Sequence, residues 1–222
     1  DRGKIIKIGD NLDQLDEHLV RGGDIEVIDA KGKFVLPGLI DAHCHIGLWE
    51  DSVGFEGEDG NEMTDPVTPH LRAIDGIYHS DRAFAEARES GITTVVTGPG
   101  SANVIGGQFA ALKTYGRRIE EMIIKEPVAM KVAFGENPKA VYSEKRQAPM
   151  TRMATAAILR ESLMKAKEYK QLLDDYNSNK EDNDKPDFDI KLEALIKVLN
   201  KEIPLKAHAH RADDILTAIR IA

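Results

Sequence analysis

The sequence predicts a parallel α/β architecture, and three observations carry that expectation. Strand-like and helix-like segments alternate after residue 38. Two of the strand-like segments are short apolar runs, Gly38 to His43 and Ile203 to Ala207, as suits strands buried on both faces. Each of these runs closes on a histidine pair, His43-Cys44-His45 and His208-Ala209-His210.

Taken in order, Lys4 to Ile8, Ile25 to Ile28 and Lys33 to Leu36 read as short strands, with the turn signal Asp29 to Gly32 between the last two. They predict a small β-domain over 1–36. The strand at 38–43 opens the α/β region, 37–222. Residues 47–69 are rich in Gly, Asp, Glu and Pro without a period, which predicts a long loop of the kind that often serves function. A helix follows over about 81–90, with Asp81 or Ser80 as N-cap and Gly91 just past its end. Ile92 to Thr97 is a strand by its β-branched content. Gln108 to Leu112 and Val128 to Phe134 are further strands, separated by an expected helix over 117–125.

From Thr151 to Leu173, apolar residues fall at 153, 156, 159, 163, 166, 169 and 173. Steps of three and four mark one helical face. The polar tract 174–187 reads as a mobile surface insertion. A helix over 188–200 carries Leu192, Leu195, Ile196 and Leu199, and another begins at Ala212. An eight-unit barrel takes about 250 residues. The 222 residues therefore give either an open sheet or part of a longer barrel.

Composition excludes several classes of function. Thirty Lys and Arg stand against 38 Asp and Glu, a net charge of −8, which argues against nucleic acid as a partner. No run of about eighteen apolar residues would span a membrane. The start, Asp1-Arg2-Gly3-Lys4, lacks the apolar core of a signal peptide. The single cysteine, Cys44, excludes an internal disulfide and fits a reducing, cytoplasmic compartment.

The histidine pairs are the most informative residues. Strand side chains alternate faces, so His43 and His45 point the same way, as do His208 and His210, at the strand ends where catalytic groups of parallel barrels gather. Neutral imidazole is the commonest metal ligand. Backbone carbonyls would also satisfy such imidazoles, so a packing role stands beside the metal role. The same alternation turns Cys44 to the opposite face, as a small packed hydrophobe. Asp41, one layer deeper than His43, reads as structural, and His70 and His79 as surface residues. The Gly-rich segment Pro99 to Gly107 lacks a nucleotide-loop ending; its place after a strand puts Ser101 and Asn103 at a substrate. Arg211 either binds a substrate carboxylate or forms a surface ion pair. Asp213 and Asp214 suit the first turn of the last helix.

The string Val35-Leu36-Pro37-Gly38-Leu39-Ile40-Asp41-Ala42-His43-Cys44-His45 resembles the first barrel strand of the amidohydrolase superfamily. Gly91 to Gly98 resembles its next strand, and Leu205-Lys206-Ala207-His208-Ala209-His210 its fifth, in the imidazolonepropionase-like and dipeptidase-like branches. The resemblance implies a (β/α)8 TIM-like metallo-hydrolase barrel with about its first five units present, preceded by a small β-sandwich-like domain. It implies one or two divalent metals, usually Zn²⁺, and hydrolysis of amide, cyclic amide or dipeptide C–N bonds by metal-bound hydroxide. His43, His45 and His208 match ligand positions; His210 matches none and reads as a substrate contact or a residue of the barrel mouth.

Lys131 lies inside the apolar strand Met130 to Phe134. Burial lowers a lysine pKa, and a neutral amine reacts with carbon dioxide; many members carry such a carboxylated lysine between two metals. The alternative is a lysine paired with a carboxylate such as Glu136. Glu136 is also the rival metal ligand, as in N-acetyl-sugar deacetylases of the superfamily; a non-catalytic scaffold is a third reading. The family's general-base aspartate and a further histidine are expected beyond residue 222. The expected partners are a small-molecule substrate, the remainder of the same polypeptide and further copies in a homo-oligomer, with no nucleic acid and no membrane.

Overall fold

The computed structural model describes residues 3–5, 7–10, 26, 28–51 and 53–221, in two units, Asp1–Pro37 and Gly38–Ala222. In the first unit the expected turn is present. Lys33 N donates to Ala30 O at 2.9 Å, Lys31 N donates to the Asp29 carboxylate at 3.0 Å, and Gly32 takes φ +74. The strand expected over 33–36 is not formed: Phe34, Val35 and Leu36 are exposed, and among the described residues no strand precedes Leu39. A strand needs a neighbour for its backbone hydrogen bonds, and the described residues of this unit provide none. The expected strands at 4–8 and 25–28 include Ile6, Ile25 and Val27, which lie outside the described residues.

In the second unit, five strands lie side by side in chain order: β1 (Leu39–Cys44), β2 (Ile92–Thr97), β3 (Ile105–Lys113), β4 (Ile123–Ala133) and β5 (Leu205–His208). β1 and β2 pair parallel, as do β4 and β5, but β3 runs antiparallel to both of its neighbours. The sheet is mixed, which corrects the expected run of successive β/α units. Connection length is the reason. A parallel crossover needs about a dozen residues or more. Only residues 98–104 join β2 to β3, and 114–122 join β3 to β4. Residues 45–91 and 134–204 join the other pairs and have room to cross over with helices. The helix expected over 117–125 is a single turn, α2 (Ile119–Met122). The β-branched Ile123 and Ile124 favour the strand instead, and Ile123 pairs with Leu112.

The sheet curls. Lys206 Nζ on β5 donates to the Ala42 carbonyl on β1 at 2.5 Å. With neighbouring strands about 4.8 Å apart, a flat sheet would hold its first and last strands roughly 19 Å apart, beyond a lysine's reach. Alternation along β4 then sorts the side chains. Met130 and Val132 pack outward with Phe134, Val104 and Ile105 against Leu159 and Ala166 of α4 (Arg152–Ser178) and Ala194 and Leu195 of α5 (Ile190–Leu199). Lys131 and Ala133 take the inner face. A second core joins Phe84 of α1 (Arg82–Glu89) to Val95, Ala110, Leu112, Met122, Leu48 and Ile77, with Cys44 at its margin.

Capping sets the helix starts. Asp81 accepts from Ala83 N, Thr151 from Ala154 N, and Asp189 from Lys191 N and Leu192 N. Gly91, past the end of α1, takes φ +84. α4 runs on to Ser178, so the tract expected to be irregular from Asp174 begins later. Pairs four residues apart, Lys170–Asp174 and Gln171–Asp175, support the last turns, and the Asn183 amide caps the Asp175 carbonyl at 3.2 Å. The long segment after β1 lies along β3, where Val67 bridges Ile105 and Arg72 bridges Gln108. α3 (Glu136–Glu144) and α6 (Ala212–Ile221) follow β4 and β5. Among the described residues no helix is long and apolar enough to cross a membrane.

The outer core should carry the stability of this unit. Leu195, 1% exposed, should cost about 2–5 kcal/mol on replacement by alanine. Leu172, 55% exposed on α4, should cost within about 0.5 kcal/mol. Urea denaturation of the two variants checks the contrast.

Candidate functional site

The inner face of the curled sheet gathers one ring, two lysines and two histidines. Phe109 of β3 is the hub. His43 stacks on it with centroids 5.4 Å apart and His45 meets it edge-on at 6.2 Å. Lys131 Nζ stands 5.6 Å from the ring centroid and Lys206 Nζ 5.3 Å. Phe109 is fully buried, and so is Lys131, at 1% exposed. Lys131 and Lys206 face each other directly in the β4–β5 ladder. Among the described residues neither forms an ion pair; Asp41 is the nearby acid, and its carboxylate accepts from His43 N at 2.9 Å.

This surrounding fixes protonation. Burial, then Lys131 and Lys206, push the His43 pKa down to about 4. Burial lowers that of His45, and burial with His210 and Lys131 lowers that of His208. All three imidazoles are neutral at pH 7. Burial, then Lys206, brings Lys131 down to about 8. His45 Nδ1 lies 2.6 Å from the Gly98 carbonyl, which can only accept. The proton is therefore on Nδ1, and the Nε2 lone pair is free. That is the arrangement of a metal-ligating histidine held by an outer partner. The Trp49 and His45 rings meet edge-to-face with centroids 5.3 Å apart.

The second histidine pair stands at the end of β5, its ring centroids 4.5 Å apart. His208 Nε2 is 3.2 Å from Asn137 Nδ2, which also donates to Ser101 Oγ at 2.7 Å. His210 Nδ1 donates to Glu136 at 2.6 Å, and Arg152 reaches the other oxygen of that carboxylate at 3.3 Å. Arg152 also donates to Asp214 at 2.9 Å. Asp214 is buried, and its Oδ2 has no partner among the described residues. It faces Gly135, where a Cβ would lie 2.4 Å from that oxygen and where φ is +75. Both facts require glycine there.

Several expected residues take other places. Glu136 pairs with His210 and Arg152, not with Lys131. Asn103, expected at a substrate, is 2% exposed and fully bonded: it accepts from Tyr142 OH at 2.6 Å and donates to Thr68 Oγ1 and the Glu62 carbonyl. It ties the 99–107 loop down. Arg211 forms a bidentate pair with Asp213, 2.9 Å at each contact, on the exposed surface. His70, expected at the surface, is half-buried, and its Nδ1 is enclosed without a partner. Asp214 is the buried partner of Arg152 more than a first-turn charge.

Four residues of the site were not anticipated: Phe109, Lys206, Asn137 and Trp49. Lys206 was within reach, since it lies two residues before His208 on the same face of an apolar strand, the argument that marks Lys131. Asn137 before Pro138 reads locally as a turn and gives no such signal.

The donors fit a divalent ion in kind: neutral imidazoles, one with its outer nitrogen fixed, beside a lysine open to carboxylation. Among the described residues, however, no three His, Cys, Asp or Glu side chains group closely enough to hold a metal by themselves. An additional donor is required.

No family model matches the chain. Amidohydrolase tasK of Hapsidospora irregularis is 29% identical over 211 residues, 86% of this chain and 21% of that protein. The imidazolonepropionase of Colwellia psychrerythraea is 48% identical over 146 residues, 60% of this chain and 34% of that protein. The crystal structure of an amidohydrolase from Thermotoga maritima superposes on the whole chain and on 55% of its own, with a TM-score of 0.87 and 47% identity. The chain thus spans between a fifth and just over half the length of these relatives. With the His43/His45 and His208/His210 pairs at the ends of its strands, the chain belongs to the amidohydrolase superfamily.

Proposed function

We propose that the chain supplies ligands to a metal-dependent hydrolase of carbon–nitrogen bonds in small molecules, with His43, His45, His208 and a carboxylated Lys131 holding one or two divalent ions, Zn²⁺ first among them. The observation that carries this reading is the Lys131–Lys206 rung. The buried Lys131 ammonium and the half-buried Lys206 ammonium, directly opposed in a ladder, repel each other and would repel a cation placed beside them. Carboxylation reverses this. The neutral amine of Lys131 attacks carbon dioxide, a nitrogen–carbon bond forms as one C–O π bond opens, and the nitrogen releases a proton. The rung becomes an anion facing the Lys206 cation, and the histidines gain the donor they lack.

A divalent ion held here supplies Lewis acidity toward a carbonyl and lowers the pKa of water toward about 7. The protein's own part is orientation. The Gly98 carbonyl keeps the His45 lone pair available, and the buried Phe109 ring fixes the plane of His43. The imidazolonepropionase among the relatives favours cyclic amides as the substrate class. The deacetylase reading, with Glu136 as ligand, has less support, because His210 and Arg152 already engage that carboxylate.

The chain should bind zinc stoichiometrically in titration calorimetry. His43→Ala or His45→Ala should weaken binding by on the order of 100-fold, the upper end of what outer partners alone contribute. No zinc binding by the wild-type chain would defeat the reading. With ¹³C-bicarbonate and zinc present, a carbamate carbon resonance is expected and should vanish in Lys131→Arg. Zinc bound without that resonance, and lost in Glu136→Gln, would favour the deacetylase ligand set.

The neutral state of His43 has a pH signature. Its pKa is about 4 folded and 6.5 at its ordinary value. Between those values the unfolded chain takes up a proton that the folded chain refuses. Metal-free stability should therefore fall as pH drops from 6.5 to 4. The dependence of Tm on pH should be shallower in His43→Gln.

A further inference from the structure

The junction of β4, α3 and β5 holds one side chain that reaches two expected site residues at once. Asn137 sits in the first turn of α3, and backbone contacts fix that turn. Phe134 N donates to the His208 carbonyl at 2.9 Å, which sets the end of β5 beside the start of α3. Gly135 turns the chain at φ +75 against Asp214. From there the half-buried carboxamide directs its NH₂ group to Ser101 Oγ at 2.7 Å and to His208 Nε2 at 3.2 Å.

An NH₂ group has two hydrogens and accepts nothing. Facing two acceptors, it uses both. His208 Nε2 must then carry a lone pair, which places the ring hydrogen on Nδ1. Ser101 Oγ accepts from Asn137 and keeps its own hydrogen for another acceptor.

We propose that Asn137 is a positioning residue, whose carboxamide holds His208 in the Nδ1–H tautomer by donating to the Nε2 lone pair, yields that lone pair when a divalent cation binds, and leaves the Ser101 hydroxyl as a donor to an oxygen of the substrate. The cation part rests on the metal reading above; the tautomer part does not. In the metal-free chain the amide holds the lone pair that a cation would take, so the ligating tautomer is selected before any ion arrives and the hydrogen bond is exchanged for the metal. The Gly98 carbonyl selects the same tautomer of His45 differently, by holding the opposite nitrogen.

Long-range ¹H–¹⁵N correlation of the metal-free, ¹⁵N-labelled chain tests this directly. The wild-type His208 should show an unprotonated Nε2. In Asn137→Asp the carboxylate can only accept, and the Nε2 signal should change to the protonated type. In Asn137→Ala the preference should be lost, and affinity for zinc alone should rise roughly 2- to 10-fold, because the ion no longer displaces a hydrogen bond from Nε2, with the Tm reporting that the fold is kept. A protonated Nε2 in the wild-type chain overturns the proposal whether or not either variant folds. Zinc affinity unchanged in Asn137→Ala overturns it while leaving the metal reading intact. A tautomer that responds to both variants in a chain that binds no zinc overturns the metal reading and leaves the tautomer assignment standing.

Discussion

Two lysines, one of them fully buried, face each other across one rung of the β4–β5 ladder, and much of the site follows from that single placement. Like charges directly opposed in a sheet destabilise it, and a buried ammonium group is expensive without a partner. The fold tolerates the rung because β4 has two faces with different duties. Met130 and Val132 anchor the larger core on one side, while Lys131 stands on the other. Burial first, and then the same positive field, lowers the pKa values of the neighbouring imidazoles and favours the neutral state in which a histidine can ligate a metal. Lys206, beside the Phe109 ring, donates to the Ala42 carbonyl, and that bond spans the curl of the sheet from last strand to first. The cationic interior exists in a chain of net charge −8, so the overall balance says nothing about the sign of the site.

The reversal of β3 does as much as the lysines to assemble this region. Since β3 runs against β2 and β4, it begins at the end where those two finish. Ile105 pairs with Val132 and Gly107 with Lys131. The loop that feeds β3 must therefore cross the site. It contributes the Gly98 carbonyl to His45 and the Ser101 hydroxyl to Asn137, while Asn103 fastens it to Tyr142 and Thr68. A parallel strand in the third place would have entered from the opposite end of the sheet. Phe109, the ring around which both lysines and His43 are arranged, owes its place to the same reversal.

How much of this could be read from the sequence depended on the kind of information involved. Helical faces and caps are local, and α4 with Thr151, α1 with Asp81 and the strand at Ile92 to Thr97 could be placed from spacing and side-chain chemistry alone. Alternation put His43 with His45 and His208 with His210. Strand direction is not local. Nothing in the composition of 105–113 distinguishes a parallel from an antiparallel strand; the short connections on either side decide it, and they were obscured by a helix expected where α2 makes one turn. Residues 33–36 have the apolar content of a strand but no ladder to join. Asn103 and Asp214 show a further limit. Each looked like an available polar group, and each is buried because a distant side chain, Tyr142 or Arg152, completes its hydrogen bonds or its charge.

The two histidine pairs are not equivalent, and the difference bears on which carboxylate could serve a metal. The first pair is held partly by backbone: the Gly98 carbonyl fixes His45, while His43 stacks on the buried Phe109 ring. The hydrogen bond that orients His45 therefore needs no side-chain partner. The second pair is held by side chains alone, His208 through Asn137 and His210 through Glu136. Glu136 is in turn held by Arg152, and Arg152 by Asp214 against Gly135. This chain of contacts draws Glu136 toward the mouth of the sheet, and with it the only carboxylate that competes with Lys131 as a ligand in this reading. The Arg152–Asp214 pair, by holding Glu136, is thus what leaves the inner rung to Lys131.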